Sequence, residues 1–505
     1  MTVQAANLVN LDLSVAMTDA THQSLIDHLL QHTAQEDLAF AYWRPSKGGQ
    51  RYSAILFQIV LPDHGERTLH GNASFTGAYL RRVLRERPPD SGVAFLHSHL
   101  SPGWQGMSQD DIVAERDRIG SAASGHSGLP LLGLTLGIDG TWSARMWSRA
   151  GPNRYERKWA TDVRVVGQVI KTSRRDPDSR GDSSSNKPIA MHSVWGDDTQ
   201  SAIARARVGI VGLGSVGSIV CESLARMGIR DLTLIDHDHI ESRNLDRTIG
   251  AQSSDIALGS TKVEIAARNF ASSATSDATR VKPIPQSLLT REGIAAALDC
   301  DILFSCVDRP LPRHVLNTIA YSHLIPVIDG GIIAKVDGAG RPLHVDWRIH
   351  TVGPDHRCLV CLGAVSRSDI ALDRDGLLDD PDYINNLPEH DRLQASRRNI
   401  FAFSLSVAAH MSLQFAKLSG AGDRIGGIGP QRYHAYPGTM SVEAHSQCES
   451  DCEYASLICS AVEPGNILPF IEPTPDVPAT GSTPSGGILS ILRRIFTRPV
   501  RITTD

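Results

Sequence analysis

Residues Phe95–Asp111 read FLHSHLSPGWQGMSQDD. Side chains two apart on a strand share a face, so His97 and His99 are expected to point one way and Ser98 the other. Ser108 fits a helix N-cap and Asp111 the third helical position, from which a first-turn carboxylate can reach back toward the imidazoles. Two histidines, one carboxylate and an open fourth position are the donor set of a catalytic zinc ion, where water ionises near neutral pH. Taken singly, Ser-x-x-Asp is a capping box and His-x-His an ordinary strand pair.

A second chemical stretch is ARVGIVGLGSVGSIVCESLARMGIRDLTLIDHDHI, residues Ala206–Ile240. Strand Val208–Val211 leads into Gly212, Gly214 and Gly217 of a GxGxxG loop, a helix runs to about Met227, and strand Asp231–Ile235 ends at Asp236. The glycines let backbone approach a phosphate, the helix N-terminus stabilises its charge, and Asp236 stands where an acid bonds ribose hydroxyls. This much fits an NAD-dependent dehydrogenase equally well. The residues beyond Ile240 separate the two: Asn244 and Arg247, then Lys262, then Asp308 at the end of an apolar strand. Gathered cations neutralise an α-phosphate under attack by a carboxylate, and an aspartate can hold Mg²⁺ near the departing pyrophosphate. That set suits an adenylating enzyme using ATP.

The cysteines form two close pairs, Cys358/Cys361 and Cys448/Cys452, with the spacing of a Cys₄ structural zinc site. Cys221, Cys300 and Cys306 fall on expected core elements, and no cysteine lies between Leu362 and Gln447. Cys459 is the remaining spare thiol, but apolar neighbours would raise its pKa.

These groups need elements to hold them. Residues 1–160 alternate short helices and strands, including strands Leu38–Trp43 and Tyr52–Leu61, an amphipathic helix Thr76–Arg87 and a buried strand Gly92–His99. Residues 161–188 read as a linker, because KTSRRDPDSRGDSSSNKP buries too little apolar area to offset its ordering entropy. A strand–glycine loop–helix–strand rhythm over residues 189–465 predicts a doubly wound α/β domain. Residues 466–505 form a Pro-rich tail ending in a basic amphipathic segment that would dock on a membrane surface, a partner or its own domain. An apolar content of 41% allows large cores, and a net charge of −5 argues against whole-chain nucleic-acid binding. With no signal-peptide pattern and no apolar run of membrane length, a cytoplasmic protein is expected.

His97, His99, Ser108 and Asp111, in that order, resemble the JAMM/MPN metalloprotease motif. Eight residues separate His99 from Ser108 where seven are usual, and Leu100 replaces a common proline. The resemblance implies cleavage of peptide or isopeptide bonds after ubiquitin-like C-termini. It makes His97, His99 and Asp111 the zinc ligands, Ser108 a supporting group and an upstream glutamate the proton carrier. Glu36 fits that last place, with Glu66 as competitor. The glycine loop, DHDHIESRNLDR and IPVIDGG resemble the ThiF/MoeB/E1 superfamily over Ile189–Cys459. Asp246 and Thr248 depart from its common wording. This implies that Asp236 and Asn244 hold the ribose side, Arg247 and Lys262 act on the phosphates, and Asp308 holds Mg²⁺. It also implies a homodimer, a structural zinc at the four cysteines and a substrate protein ending in glycine. The expectation is a bifunctional enzyme of a bacterial ubiquitin-like modifier system, with an E2-like protein as a further candidate partner. Maturation and activation of a sulfur carrier is the alternative, and a metal-free scaffold or a dehydrogenase are the readings from other classes.

Overall fold

The computed structural model describes residues 8, 10–32, 34–151, 154–175, 196–276, 278–336, 342–381, 400–421, 429–443 and 447–467. Two sheets organise them. The N-terminal sheet has nine strands in the order Ile170–Arg174, Asp162–Val166, Asp12–Thr18, Arg51–Val60, Leu38–Lys47, Gly92–Ser98, Leu131–Leu136, Trp142–Gly151, Arg154–Trp159. Its central strands are buried on both faces, which is why they read as continuous apolar runs rather than alternating ones. Helix Asp19–Leu29 packs Leu25 and Leu29 against Leu13, Trp43 and Trp142 on one face. Helix Gly77–Glu86, capped by Thr76, packs Tyr79 and Val83 against Phe40 and Phe95 on the other.

The C-terminal sheet has eight strands. Arg280–Ile284, Asp231–Ile235, Arg207–Val211, Ile302–Ser305 and Val327–Val336 run parallel, and Pro342–Val352, Gln431–His434 and Thr439–Val442 continue antiparallel. Helices Ser215–Arg226, Lys262–Ser273 and Phe401–Ala416 cover one face, while Arg291–Leu298 and Pro310–Ser322 cover the other. This is the doubly wound arrangement the strand–helix rhythm predicts.

The expected linker begins too early. Asp162–Val166 pairs in parallel with Asp12–Thr18, and Ile170–Arg174 adds an antiparallel edge. Residues 176–188 of the expected linker lie outside the described residues, as do residues 189–195 and the tail from residue 468. The described residues pack as one compact unit. Buried Arg51 reaches from the N-terminal sheet to Asp301, 2.7 Å from Nη1, and to Asp162, 3.3 Å from Nη2. The backbone N–H groups of Gln50 and Arg51 donate to Asp299 Oδ1 at 2.8 and 2.9 Å. Removing one partner of such a buried pair typically costs about 3–5 kcal/mol, because it strands the other charge. Among the described residues no helix is long and apolar enough to cross a membrane.

Candidate functional site

The strand carrying His97 is flanked by Leu38–Lys47 and Leu131–Leu136. Ser98 faces the opposite side, where its hydroxyl donates to Leu29 O at 2.9 Å and accepts from the Asp37 N–H at 3.0 Å. His97 and His99 share the site face, with their Nε2 atoms 3.2 Å apart. Ser108 caps the following helix: its Oγ accepts from the Asp111 N–H at 3.1 Å, and Asp111 Oδ2 accepts from the Ser108 N–H at 2.7 Å. The cap turns Asp111 toward the histidines. Its Oδ1 lies 3.3 Å from His97 Nε2 and its Oδ2 3.4 Å from His99 Nε2. The three side chains thus offer ligand atoms within 4.8 Å of one another. Hydrogen bonds from the two histidines hold the Asp111 carboxyl far below its usual range, against the burial that opposes them. A half-buried anion between two imidazoles is a donor set that fits a divalent cation.

Glu36 lies two residues before its strand and is half-buried. Burial pushes its carboxyl up, while His99, His97 and Asp111 all act on its charge, so it stands within electrostatic reach of the cluster. Glu66, the competitor, is committed to Arg82, whose Nε lies 3.0 Å away.

In the second half, Gly212 has φ +89°, and a Cβ there would sit 2.7 Å from Cys306 O. A Cβ on Gly217 would come within 1.9 Å of Gly212 O, so this position admits only glycine with the loop as it stands. At Gly214, the helix N-cap, a Cβ would meet nothing within 4 Å. Asp236 is buried and ties two loops together: Oδ2 accepts from the Leu213 N–H at 2.6 Å and Oδ1 from the Asp238 N–H at 2.8 Å. Burial pushes its carboxyl up and nearby Lys262 offsets this. Lys262 is the first residue of its helix, and its Nζ lies 2.6 Å from Asp238 Oδ2. Asn244 closes a short turn by accepting from the Glu241 N–H at 3.1 Å. Arg247 pairs with Asp246 at 3.3 Å. The loop bearing both is pinned to the glycine-loop helix, because the Ile249 N–H donates to Ser218 Oγ at 3.2 Å. Asp308 is exposed, three residues beyond the strand that ends at Ser305. The structure therefore brings Gly212, Gly214, Gly217, Asp236 and Lys262 together, with Asn244 and Arg247 on an adjoining loop.

The four paired cysteines also converge, with all sulfurs within 4.8 Å. Backbone N–H groups of Cys358 and Cys361 donate to Cys448 Sγ and Cys358 Sγ at 3.1 and 3.2 Å. The hydrogen bond from Cys358 holds the Cys448 thiol down to about 5. Four convergent sulfurs with N–H donors behind them fit a structural zinc ion. Cys459 is buried among Ala16, Ile55, Val166 and Leu324, and burial pushes its thiol up to about 12. Cys306 lies just past its strand against the glycine loop, rather than on the strand as expected.

Residues 186–409 match the model of the ThiF family. They are a ThiF-family domain. Molybdopterin-synthase adenylyltransferase of Escherichia coli is 33% identical over 142 residues, which cover 27% of this chain and 53% of that protein. SAMP-activating enzyme E1 of Haloferax volcanii is 28% identical over 174 residues, 34% of this chain and 60% of that protein. Ubiquitin-like modifier-activating enzyme 5 of Drosophila grimshawi is 33% identical over 165 residues, 30% and 39% of the two chains. The chain thus spans roughly half the length of the curated relatives it matches. Among solved structures, E. coli MccB with ATP is similar at 17% identity and a TM-score of 0.39, covering 51% of this chain and 69% of that one.

Sequence reasoning missed Asp238, the partner of Lys262, although it stands two residues from Asp236. It also missed Glu115, Thr135 and Arg145 behind the histidines. The only sequence signal for Thr135 and Arg145 is a hydroxyl and a charged residue on buried strands, and Glu115 lies on the helix that follows Asp111.

Proposed function

We propose that the ThiF-family half adenylates the C-terminal carboxylate of a small protein ending in glycine. The carboxylate oxygen attacks the α-phosphate of ATP, the acyl adenylate forms and pyrophosphate leaves. Asp236 and Asn244 orient the ribose, and Arg247 and Lys262 neutralise charge on the phosphates as the P–O bond breaks. Asp308 would hold Mg²⁺, which offsets the charge of the leaving group. The observation that carries this reading is the glycine loop closed by Asp236 with Lys262 alongside, inside a domain of this family. The inert setting of Cys459 supports transfer of the acyl group to a thiol on a partner, such as an E2-like protein, rather than to this chain.

The N-terminal half is a zinc-dependent peptidase of JAMM type in this reading, acting at the same C-terminal tail. Support comes from the convergence of His97, His99 and Asp111 with Glu36 in reach. Zinc held there would supply Lewis acidity. Glu36 takes a proton from the attacking water and delivers it to the leaving amine, and Ser108 holds Asp111 in place and supports the developing oxyanion. A structural zinc at the four cysteines and a cytoplasmic homodimer complete the proposal. The substrate is a ubiquitin-like modifier of a bacterial conjugation system. A sulfur carrier is the second reading, favoured by the likeness to a molybdopterin-synthase adenylyltransferase.

The test is ATP–pyrophosphate exchange with small glycine-terminated proteins from the same genome. A modifier or carrier that stimulates exchange, and whose C-terminal extension is removed by the wild type but not by His97→Ala, supports both halves. If none stimulates exchange, the carrier reading fails.

A further inference from the structure

His97 and Thr135 are register partners across a parallel strand pair. Thr135 Oγ1 lies 3.3 Å from His97 Nε2, the atom that faces His99 and Asp111. On the next strand Arg145 is the register partner of Gly133, diagonal to Thr135, and its Nη1 lies 2.5 Å from Thr135 Oγ1. A guanidinium has donors only, so the threonine oxygen accepts from Arg145 and its own proton is left for another acceptor. Thr135 is fully buried, and the acceptor that the structure places near that proton is His97 Nε2, itself an atom of the centre.

Arg145 is in turn fixed. Glu115, also fully buried, accepts from its Nε at 3.0 Å and from its Nη2, and Trp147 Nε1 donates to the same carboxylate at 2.7 Å. Glu115 follows Asp111 by four residues, so one helix start sends one carboxylate to the histidines and a second to Arg145. A Cβ on Gly133 would lie 2.4 Å from Glu115 Oε2 and 2.6 Å from Arg145 Nε, so the intervening strand gives up a side chain to seat the pair. Burying an ion pair is costly, and a well-packed apolar substitute is often as stable. Packing alone does not account for spending one of its donors on a hydroxyl that faces the site.

We infer that Thr135 is a further catalytic residue of the proposed metal centre: a hydroxyl donor aimed by the Glu115–Arg145 pair at an oxygen anion bound beside His97, His99 and Asp111. This rests on the reading of those three residues as metal ligands. The chemical class of ligand is a carboxylate or a tetrahedral oxyanion, which accepts the threonine proton while a cation neutralises its charge.

The experiment uses the full chain, stripped of metal and reloaded with Co²⁺, with acetate as the probe and visible ligand-field absorption as the readout. Bands that acetate perturbs and His97→Ala removes report this centre and not the cysteines. Thr135→Val should take up Co²⁺ with an affinity within about twofold of wild type but bind acetate roughly tenfold more weakly, the loss of one hydrogen bond to a charged group. Thr135→Ser, which keeps the hydroxyl, should recover most of that loss, and matching thermal melts check folding. Acetate binding by Thr135→Val within twofold of wild type overturns the inference. So does a Thr135→Ser variant as weak as the valine, or a wild type whose bands ignore acetate. A wild type with no His97-dependent Co²⁺ bands overturns the metal-centre reading itself.

Discussion

The two candidate sites are built on opposite principles. Around His97, three ligand atoms converge, with Asp111 held by a helix cap and His97 backed by its strand neighbour Thr135. In the ThiF-family domain the cations stand apart and each leans on a nearby carboxylate, Lys262 on Asp238 and Arg247 on Asp246. A small dication needs its donors assembled, since a misplacement of a few tenths of an ångström costs affinity. ATP carries its own extended charge, so cations parked in half-exposed pairs can exchange one anion for another at little cost. The difference teaches that convergence of side chains marks the candidate metal centre, while the fixed part of the candidate nucleotide site is backbone.

The largest effect that would sharpen this contrast is at Glu36. Glu36→Gln removes the proposed proton carrier but no ligand. Processing of the modifier should fall by roughly 10²–10⁴-fold, with metal content unchanged by elemental analysis. A fall in bound metal alongside activity would move Glu36 from proton transfer into the ligand set.

Next comes the nucleotide site. Lys262→Ala should slow ATP–pyrophosphate exchange by roughly 10²–10³-fold, the loss of a group acting on the transition-state charge. Asp238→Asn, which removes only the parking partner, should change exchange by less than about tenfold. If the two variants are equally slow, Asp238 is part of the machinery and the picture of a temporary pair breaks.

Legibility in the chain divides along the same line. His97, His99, Ser108 and Asp111 lie within fifteen residues, and strand period and cap geometry are local rules, so their meeting was readable. The glycine loop was readable for the same reason. Thr135 and Arg145 reach His97 only through sheet register, which joins residues far apart in sequence. The strands Asp162–Val166 and Ile170–Arg174 were lost in an expected linker. They lie at the sheet's edge, and the outermost is polar and partly exposed, so it lacks the apolar signal of a core strand. The Arg51–Asp301 junction was likewise invisible, because nothing in either segment announces a partner 250 residues away.

A smaller effect tests whether the backbone is the fixed part of the nucleotide site. Gly217→Ala places a methyl against Gly212 O, a backbone atom that cannot swing aside. Overpacking of this kind costs about 1–3 kcal/mol, so the melting temperature should drop by a few degrees and exchange should fall with it. Gly214→Ala, whose Cβ would meet nothing in the protein, should leave the melt unchanged while weakening ATP binding. Unaltered ATP binding in that variant would mean that the phosphates do not pass over Gly214.

The smallest effect concerns the junction between the two sheets. His323 is buried there, with Nδ1 2.8 Å from Ser46 Oγ of the other sheet and Nε2 3.0 Å from Val462 O. Burial pushes its pKa down from the usual 6.5 to about 4, partly offset by the Val462 carbonyl. A folded-state value below the unfolded one means that the unfolded chain takes up the proton first as pH falls. His323 therefore contributes full stability above pH 6.5, loses it progressively between 6.5 and about 4, and adds no further slope below that. Chemical denaturation of wild type and His323→Gln across this window should show a shallower pH slope for the variant, whatever its stability at pH 7. Parallel slopes would mean that the ring is solvated in solution and that the halves meet less tightly at Ser46 than the geometry indicates.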